Sequence, residues 1–292
     1  MPTVSVVTGA NSGIGRAIAI HLAAHGHEVY GTVRDPNRAE KLRSMSADAG
    51  VEVQLVTLDV ADDDSVRRGM GEILDRAGQV DVLVNNAGVG GNAVVEEATP
   101  AGIVDVVNVN VGGGVRCLQA VLPGMRARHR GAIVNITSVA GRFGAIAQAP
   151  YVASKWAFEG VSEELAFELA PFGIRVAIVE PGVTRSAIFA KNIDAPNQTG
   201  AYGDHYRRLF EFYAAGVAHA TDPFEVAAVV YEAITTSTPR LRYPCSWGGP
   251  EIISGRRMLT DEDWVAMGAI GDDEEYRAEF LRRFGVDITP PA

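Results

Sequence analysis

Val4-Ser5-Val6-Val7-Thr8-Gly9-Ala10-Asn11-Ser12-Gly13-Ile14-Gly15 decides the fold. A short apolar strand runs into a glycine-rich turn, and the turn opens a segment of helical period that reaches Gly26. Gly9 permits the tight turn, while Gly13 and Gly15 let backbone approach a phosphate and let the helix pack close to the strand. A helix beginning there offers free N–H groups to a pyrophosphate. A glycine cluster alone marks only a turn. Its place between the first strand and the first helix makes it a nucleotide signal.

The same alternation continues outward. Strand-like runs at residues 4–8, 28–33, 51–58, 81–85, 131–137 and 174–180 alternate with helical segments at 13–26, 36–49, 62–77, 100–128 and 151–171. Asn110 and Gly112-Gly113-Gly114 interrupt the longest of these helices. Mostly apolar strands separated by helices predict an α/β, doubly wound (Rossmann) parallel sheet of about seven strands, covered on both faces. In such a fold the ligand lies at the carboxyl ends of the strands. Thr8-Gly9, Asn85-Asn86, Ser138 and Pro181-Gly182 each follow a strand. No repeat or linker divides the chain, so residues 1–292 are read as one domain, with a lid at 184–221 and a C-terminal extension at 246–292.

Composition narrows the function. Hydrophobic residues make up 47% of the chain and charged residues 21%, the balance of a globular protein. A net charge of −10 argues against a nucleic-acid partner, which needs clustered Lys and Arg. Asp261-Glu262-Asp263 and Asp272-Asp273-Glu274-Glu275 read as solvated helix starts. Cys117 and Cys245 have no metal-ligand spacing, and Cys117 reads as buried packing. His21 and His25 lack a third ligand, so no metal is expected. Asn135-Ile136-Thr137 is sequon-like but lies in a buried strand. There is no basic leader and no run of membrane-spanning length, which predicts a cytoplasmic protein.

The spacing Gly9-x3-Gly13-x-Gly15 after Thr8 resembles the short-chain dehydrogenase/reductase family. Asn85-Asn86-Ala87-Gly88, Ser138, Tyr151-x3-Lys155 and Pro181-Gly182-Val183-Thr184 follow in that family's order, so the resemblance spans residues 3–245. It implies a nicotinamide dinucleotide held by Gly9, Asn11, Ser12, Gly13, Ile14 and Gly15, with Asp59 and Val60 at the adenine. Asn86, Ala87 and Gly88 would line the ribose side, and Pro181, Gly182, Val183 and Thr184 would meet the nicotinamide. Asp59 also reads as an ordinary turn or helix cap. Val33 stands where NAD enzymes of this kind place an acid, and Arg34 follows with a cation suited to a 2′-phosphate. NADP(H) is therefore the preferred cofactor, with NAD(H) left possible through Asp35.

Hydride transfer to a ketone leaves an oxyanion that needs a proton. A phenol is a poor acid near neutrality unless its phenolate is stabilised. Lys155 follows Tyr151 by four residues, so a helix puts both on one face, where the ammonium is expected to lower the tyrosine pKa. The resemblance implies that Lys155 also holds the nicotinamide ribose and that Ser138 orients the substrate oxygen. It likewise implies that Asn110 holds a water for proton relay. Alone, each residue has a bland reading: an exposed Tyr-Lys pair, a turn serine, a helix-breaking asparagine. Together and in order, they read as a catalytic set.

The region after Thr184 leaves the strand-helix rhythm and carries Phe189, Tyr202, Tyr206, Leu209, Phe210, Phe212 and Tyr213, which predicts an apolar lid. Phe143 and Gln148 are placed on the opposite wall, so Ser138, Phe143, Gln148, Tyr151 and Phe189 form the expected substrate site. Asn108-Val109-Asn110-Val111 and Val115-Arg116-x-Leu118-Gln119-Ala120-x-Leu122-Pro123 resemble the 17β-hydroxysteroid and retinol dehydrogenase branch, as does 30–35. That implies a lipophilic alcohol and its carbonyl partner. The alternatives are a 3-oxoacyl-thioester reductase, disfavoured by the acidic charge, and a non-catalytic nucleotide sensor. Ala153, Ala157, Val161, Leu165 and Leu169 form an apolar stripe, and with the resemblance they predict a homodimer, with a homotetramer as the alternative.

Overall fold

A computed structural model describes residues 2–186 and 195–291. Seven parallel strands form one sheet: β1 (Val4–Val7), β2 (Glu28–Val33), β3 (Gln54–Thr57), β4 (Val82–Asn85), β5 (Gly131–Ile136), β6 (Ile174–Pro181) and β7 (Arg242–Cys245). Their order is β3-β2-β1-β4-β5-β6-β7, so the chain reverses direction across the sheet between β1 and β4. That reversal opens a crevice at the strand ends, where doubly wound sheets bind ligands. Register keeps the ends level: Val7 lies opposite Gly31 and Val84, Asn85 opposite Asn135, and Pro181 opposite Cys245.

Alternate residues of each strand feed opposite layers. Val7, Val84, Val134 and Val179 pack with α1 (Gly13–Ala24) through Ile18 and Leu22. Val6, Leu83, Ile133 and Val176 pack on the other face, with α3 (Asp63–Ala77) through Val66, Met70 and Ile73. Each such side chain, fully buried, contributes about 1.5–3 kcal/mol. Cys117 lies in this second layer with no exposed surface, as its helical context predicts.

The second helical segment is broken, because Asp35 caps a short turn at Pro36–Arg38 before α2 (Glu40–Asp48) begins. β3 pairs only with β2 and starts at Gln54 rather than at 51, since it is the edge of the sheet. The long helix is interrupted where the sequence says. α4 (Pro100–Val107) ends in a π-helical turn at Asn108–Gly112, from which α5 (Gly113–Arg128) continues. The extra residue of that turn drives Asn110 inward.

α6 (Ala149–Leu169) carries Tyr151 and Lys155 in its first turns. Its expected stripe divides: Ala153 and Ala157 face outward, whereas Leu165 and Leu169 are buried in the core. The apolar outer face is instead marked by Trp156 and Phe167, the latter 82% exposed.

Helix α7 (Gly203–Ala218) lies in the lid region and precedes α8 (Pro223–Thr235). The C-terminal extension forms α9 (Gly249–Met258), α10 (Asp261–Gly268) and α11 (Asp273–Phe284) around a core of Ile252, Ile253, Tyr276, Phe280 and Phe284. The acidic runs do start helices, capped by Thr260 and Asp272. Asp273 is more than a solvated acid, however. Arg207 and Arg208 of α7 donate to it at 2.6 and 2.9 Å and hold its carboxyl down at about 2. Among the described residues no helix is long and apolar enough to cross a membrane.

Candidate active site

The glycine turn is stitched to the end of β4. Thr8 Oγ1 accepts from the Asn86 and Ala87 backbone N–H groups at 2.9 and 3.0 Å, and Asn86 Nδ2 donates to the Thr8 carbonyl at 2.9 Å. Gly9 has φ +67°, which suits glycine. A Cβ on Gly15 would lie 2.3 Å from Asn86 Nδ2 and 2.5 Å from the Gly9 carbonyl, so only glycine fits. Ser12 caps α1 in extended conformation without a side-chain bond, and no acid sits in the first turn. The free N–H groups and the spare hydroxyl suit an anionic pyrophosphate.

Around this turn, Asn11 accepts from Arg16 at its backbone carbonyl (3.2 Å), and Ile14 packs against the core. Arg34, at the end of β2, is exposed and makes no hydrogen bond or ion pair among the described residues. Asp35, by contrast, accepts from the Asn37 N–H at 2.9 Å. Asp59 behaves as a turn former, its Oδ1 accepting from the Ala61 N–H at 3.0 Å, and Val60 is buried against Gly113. Gly88 sits against the Asn110 side chain.

Ser138 lies two residues past β5, is 8% exposed, and accepts from the Ala140 N–H at 3.2 Å. The Tyr151 phenol is raised by burial, which outweighs a hydrogen bond with Ser138. Lys155 lies 5.5 Å from the Tyr151 ring centre and donates to the Ile136 carbonyl at 3.1 Å. Burial lowers its ammonium to about 8, opposed by the charge of Glu159. The expected lowering of Tyr151 by Lys155 is thus corrected: in this geometry burial governs both groups and pushes the phenol up.

Asn110 is 2% exposed and its amide is fully engaged. Oδ1 accepts from the Val89 N–H at 2.8 Å, while Nδ2 donates to the Val89 carbonyl and to Ser154 Oγ, both at 2.9 Å. At the β6 end, Gly182 N–H donates to the Cys245 carbonyl at 2.8 Å and Val183 N–H to that of Trp247 at 2.9 Å. Thr184 shares a 2.8 Å hydroxyl contact with Ser246. Pro181, the last residue of β6, presents its carbonyl 3.5 Å from Ser138 Oγ.

On the substrate side, Gln148 donates to the Tyr213 hydroxyl, which in turn donates to Asn92 Oδ1 at 2.9 Å. Burial chiefly raises the Tyr213 phenol, and Tyr151 lies close enough to add to that rise, so this polar trio borders Tyr151. Val94, Ala147, Tyr206 and Leu209 surround it with apolar surface. Phe143 is 6% exposed and packs edge-on to Trp264 in the core of the extension. Phe189 lies outside the described residues. Tyr206 donates to Glu97 at 2.6 Å, pinning α7 to the segment after β4. Sequence reasoning missed Asn92, Glu97 and Glu159; only Glu159 left a signal, four residues after Lys155. His21 and His25 stack with each other and with Tyr231, and no cluster able to hold a metal exists among the described residues.

A doubly wound sheet with a glycine turn at its switch point, a serine just past β5 and a tyrosine and lysine on α6 suits a dinucleotide-type oxidoreductase site. The family described as short chain dehydrogenase matches residues 3–197, and the chain belongs to it. It is 36% identical over 244 residues to a 3-ketodihydrosphingosine reductase of Bacteroides thetaiotaomicron, covering 82% of this chain and 87% of that protein. It is also 36% identical over 253 residues to mouse 17-beta-hydroxysteroid dehydrogenase type 1, covering 83% and 73%. The crystal structure of the F189W actinorhodin polyketide ketoreductase with NADPH superposes with a TM-score of 0.73 at 31% identity, covering 83% of this chain and 95% of that one. The chain is therefore an oxidoreductase of the short-chain type.

Proposed function

We propose that this protein is an NADP(H)-preferring oxidoreductase that interconverts an alcohol with a ketone or aldehyde on a lipophilic substrate. The observation that carries the reading is Lys155 5.5 Å from the Tyr151 ring, on the helix that faces Ser138 just past β5. The cradle formed by the Gly9–Gly15 turn and the open start of α1 fits a dinucleotide. When bound, NADP(H) supplies or accepts the hydride. Tyr151 gives a proton to the substrate oxygen in reduction and takes it back in oxidation, while Ser138 holds that oxygen by hydrogen bonding. The Lys155 ammonium, 5.5 Å from the ring centre, favours the phenolate against the burial that holds the phenol up.

Three observations support the cofactor and substrate classes. Arg34 is unengaged while Asp35 is committed to a cap, which favours a 2′-phosphate over a bare ribose. The ketoreductase it resembles is described with NADPH. The apolar wall around Gln148 and Tyr213, with relatives named for sphingoid and steroid substrates, supports a lipophilic carbonyl. Val104, Trp156 and Phe167, exposed on α4 and α6, suit a homodimer contact. A turnover screen of ketones, aldehydes and alcohols with NADPH, NADH, NADP and NAD tests the proposal. Turnover confined to NADH and small polar substrates would refute it.

A further inference from the structure

Behind the catalytic lysine lies a network of two buried carboxylates and two partly exposed guanidinium groups that hydride transfer does not itself use. Glu159 follows Lys155 by one helical turn and is 5% exposed. Its Oε1 accepts from Thr137 Oγ1 at 2.6 Å, and its Oε2 accepts from Arg242 Nε at 3.0 Å and lies 3.5 Å from Arg142 Nη1. Glu180, 1% exposed, sits beyond it. Its Oε1 lies 3.5 Å from Arg142 and 3.8 Å from Arg242, with no hydrogen bond.

These residues come from β6, β7, the catalytic helix and the segment after β5. Thr137 precedes Ser138, and Arg142 leaves the turn after it. Glu180 precedes the Pro181-Gly182 loop, and Arg242 opens β7. The approach of Glu159 is itself built in, because a Cβ on Gly141 would lie 2.9 Å from Glu159 Cγ and 3.1 Å from the Lys155 carbonyl. Burying a carboxylate is costly unless it is paired, and here it is paired on three sides.

We propose that Glu159 is a positioning residue: its charge keeps the Lys155 ammonium protonated in its buried seat, and its ties to Thr137, Arg142 and Arg242 hold that seat against the Ser138 strand end. The proposal rests on the reading of Tyr151 and Lys155 as the catalytic pair. Lys155 lies beside the Tyr151 ring and donates to the Ile136 carbonyl of β5, and Glu159 is buried one turn further along the same helix. Behind Glu159 stand Glu180 from β6, Arg142 from the loop after β5 and Arg242 from β7, with Glu163 pairing Arg242 and Arg257 reaching Glu180 from α9. Burial lowers Lys155 to about 8 even with Glu159 present, so losing that charge removes the force opposing the shift.

The test is competitive acetylation of the full chain with acetic anhydride across pH, read by mass spectrometry. Lys41, Lys155 and Lys191 are the three lysines of the sequence, and each falls on a separate peptide. The Lys155 midpoint is expected to move down by about one pH unit in Glu159→Gln, a roughly tenfold weaker hold on the proton, and to stay within a few tenths in Glu159→Asp. The double variant Glu159→Gln/Arg242→Gln removes a pair as a unit, which guards against misfolding, and should shift the same way by less, because the lost guanidinium charge offsets part of the lost carboxylate charge. An unmoved midpoint in either folded variant overturns the proposal. Labelling needs no turnover, so it stays separable from failure of the proposed function, which Tyr151→Phe tests.

Discussion

Asn110 Nδ2 donates to Ser154 Oγ at 2.9 Å, bolting the π turn between α4 and α5 to α6 one residue before Lys155. Ser154 Oγ passes the contact on to the Tyr151 carbonyl at 2.7 Å. The asparagine that interrupts one helix therefore fixes the position of the other. Its amide also closes both backbone groups of Val89 beside the ribose-side loop.

Replacing Asn110 by Ala empties a 2% exposed amide site, removing the partner of the half-buried Val89 N–H and carbonyl and the Asn110 contact of Ser154, whose hydroxyl keeps the Tyr151 carbonyl. The expected cost is about 2–3 kcal/mol, since an unsatisfied buried polar group costs about 1–3 kcal/mol. A thermal melt should fall by roughly 5–10 °C. An unchanged melting temperature would show that water or a neighbour replaces the amide.

Glu180 carries the clearest pH signature of the fold. Burial and the nearby Glu159 raise its carboxyl to about 7 from an ordinary 4.5, against the pull of Arg142 and Arg242. A raised carboxyl binds its proton more tightly when folded. Its contribution is fully present below about pH 4.5 and is lost as pH rises through about 7. The loss across that window is about 3 kcal/mol. Glu180→Gln should flatten the pH dependence of the melting temperature between those values, and an unaltered slope would place the proton elsewhere.

On the proposed reading, Arg34 separates the two dinucleotides. Arg34→Ala should weaken NADPH binding about 10- to 100-fold, the worth of a charge-assisted hydrogen bond of about 1.5–3 kcal/mol, and leave NADH within twofold. Fluorescence titration with both nucleotides measures this. Equal losses for both would move the 2′-phosphate contact off Arg34.

What the sequence made legible was local. The run from Val4 to Gly15, the strand-helix rhythm and the break at Asn110 all reappear, because turn chemistry, apolar periodicity and helix interruption act over a few residues. Tyr151 and Lys155 were readable for the same reason, being one helical turn apart. Glu159 with Thr137, Arg142, Glu180 and Arg242 was not, since its members come from separate elements and meet only when β5, β6 and β7 align. The trio of Asn92, Gln148 and Tyr213 was hidden in the same way. Leu165 and Leu169 misled because an apolar stripe does not say whether it faces the core or a partner. The rise in the Tyr151 phenol depends on burial, which spacing cannot report.

The central claim is that Tyr151 exchanges the proton at the substrate oxygen. Steady-state turnover of Tyr151→Phe, measured beside its NADPH affinity, tests it most directly. The account predicts affinity within about twofold of the parent and turnover reduced by about 10²- to 10⁴-fold, the span expected when a general acid is removed. Turnover equal to that of the parent, with nucleotide still bound, would contradict it.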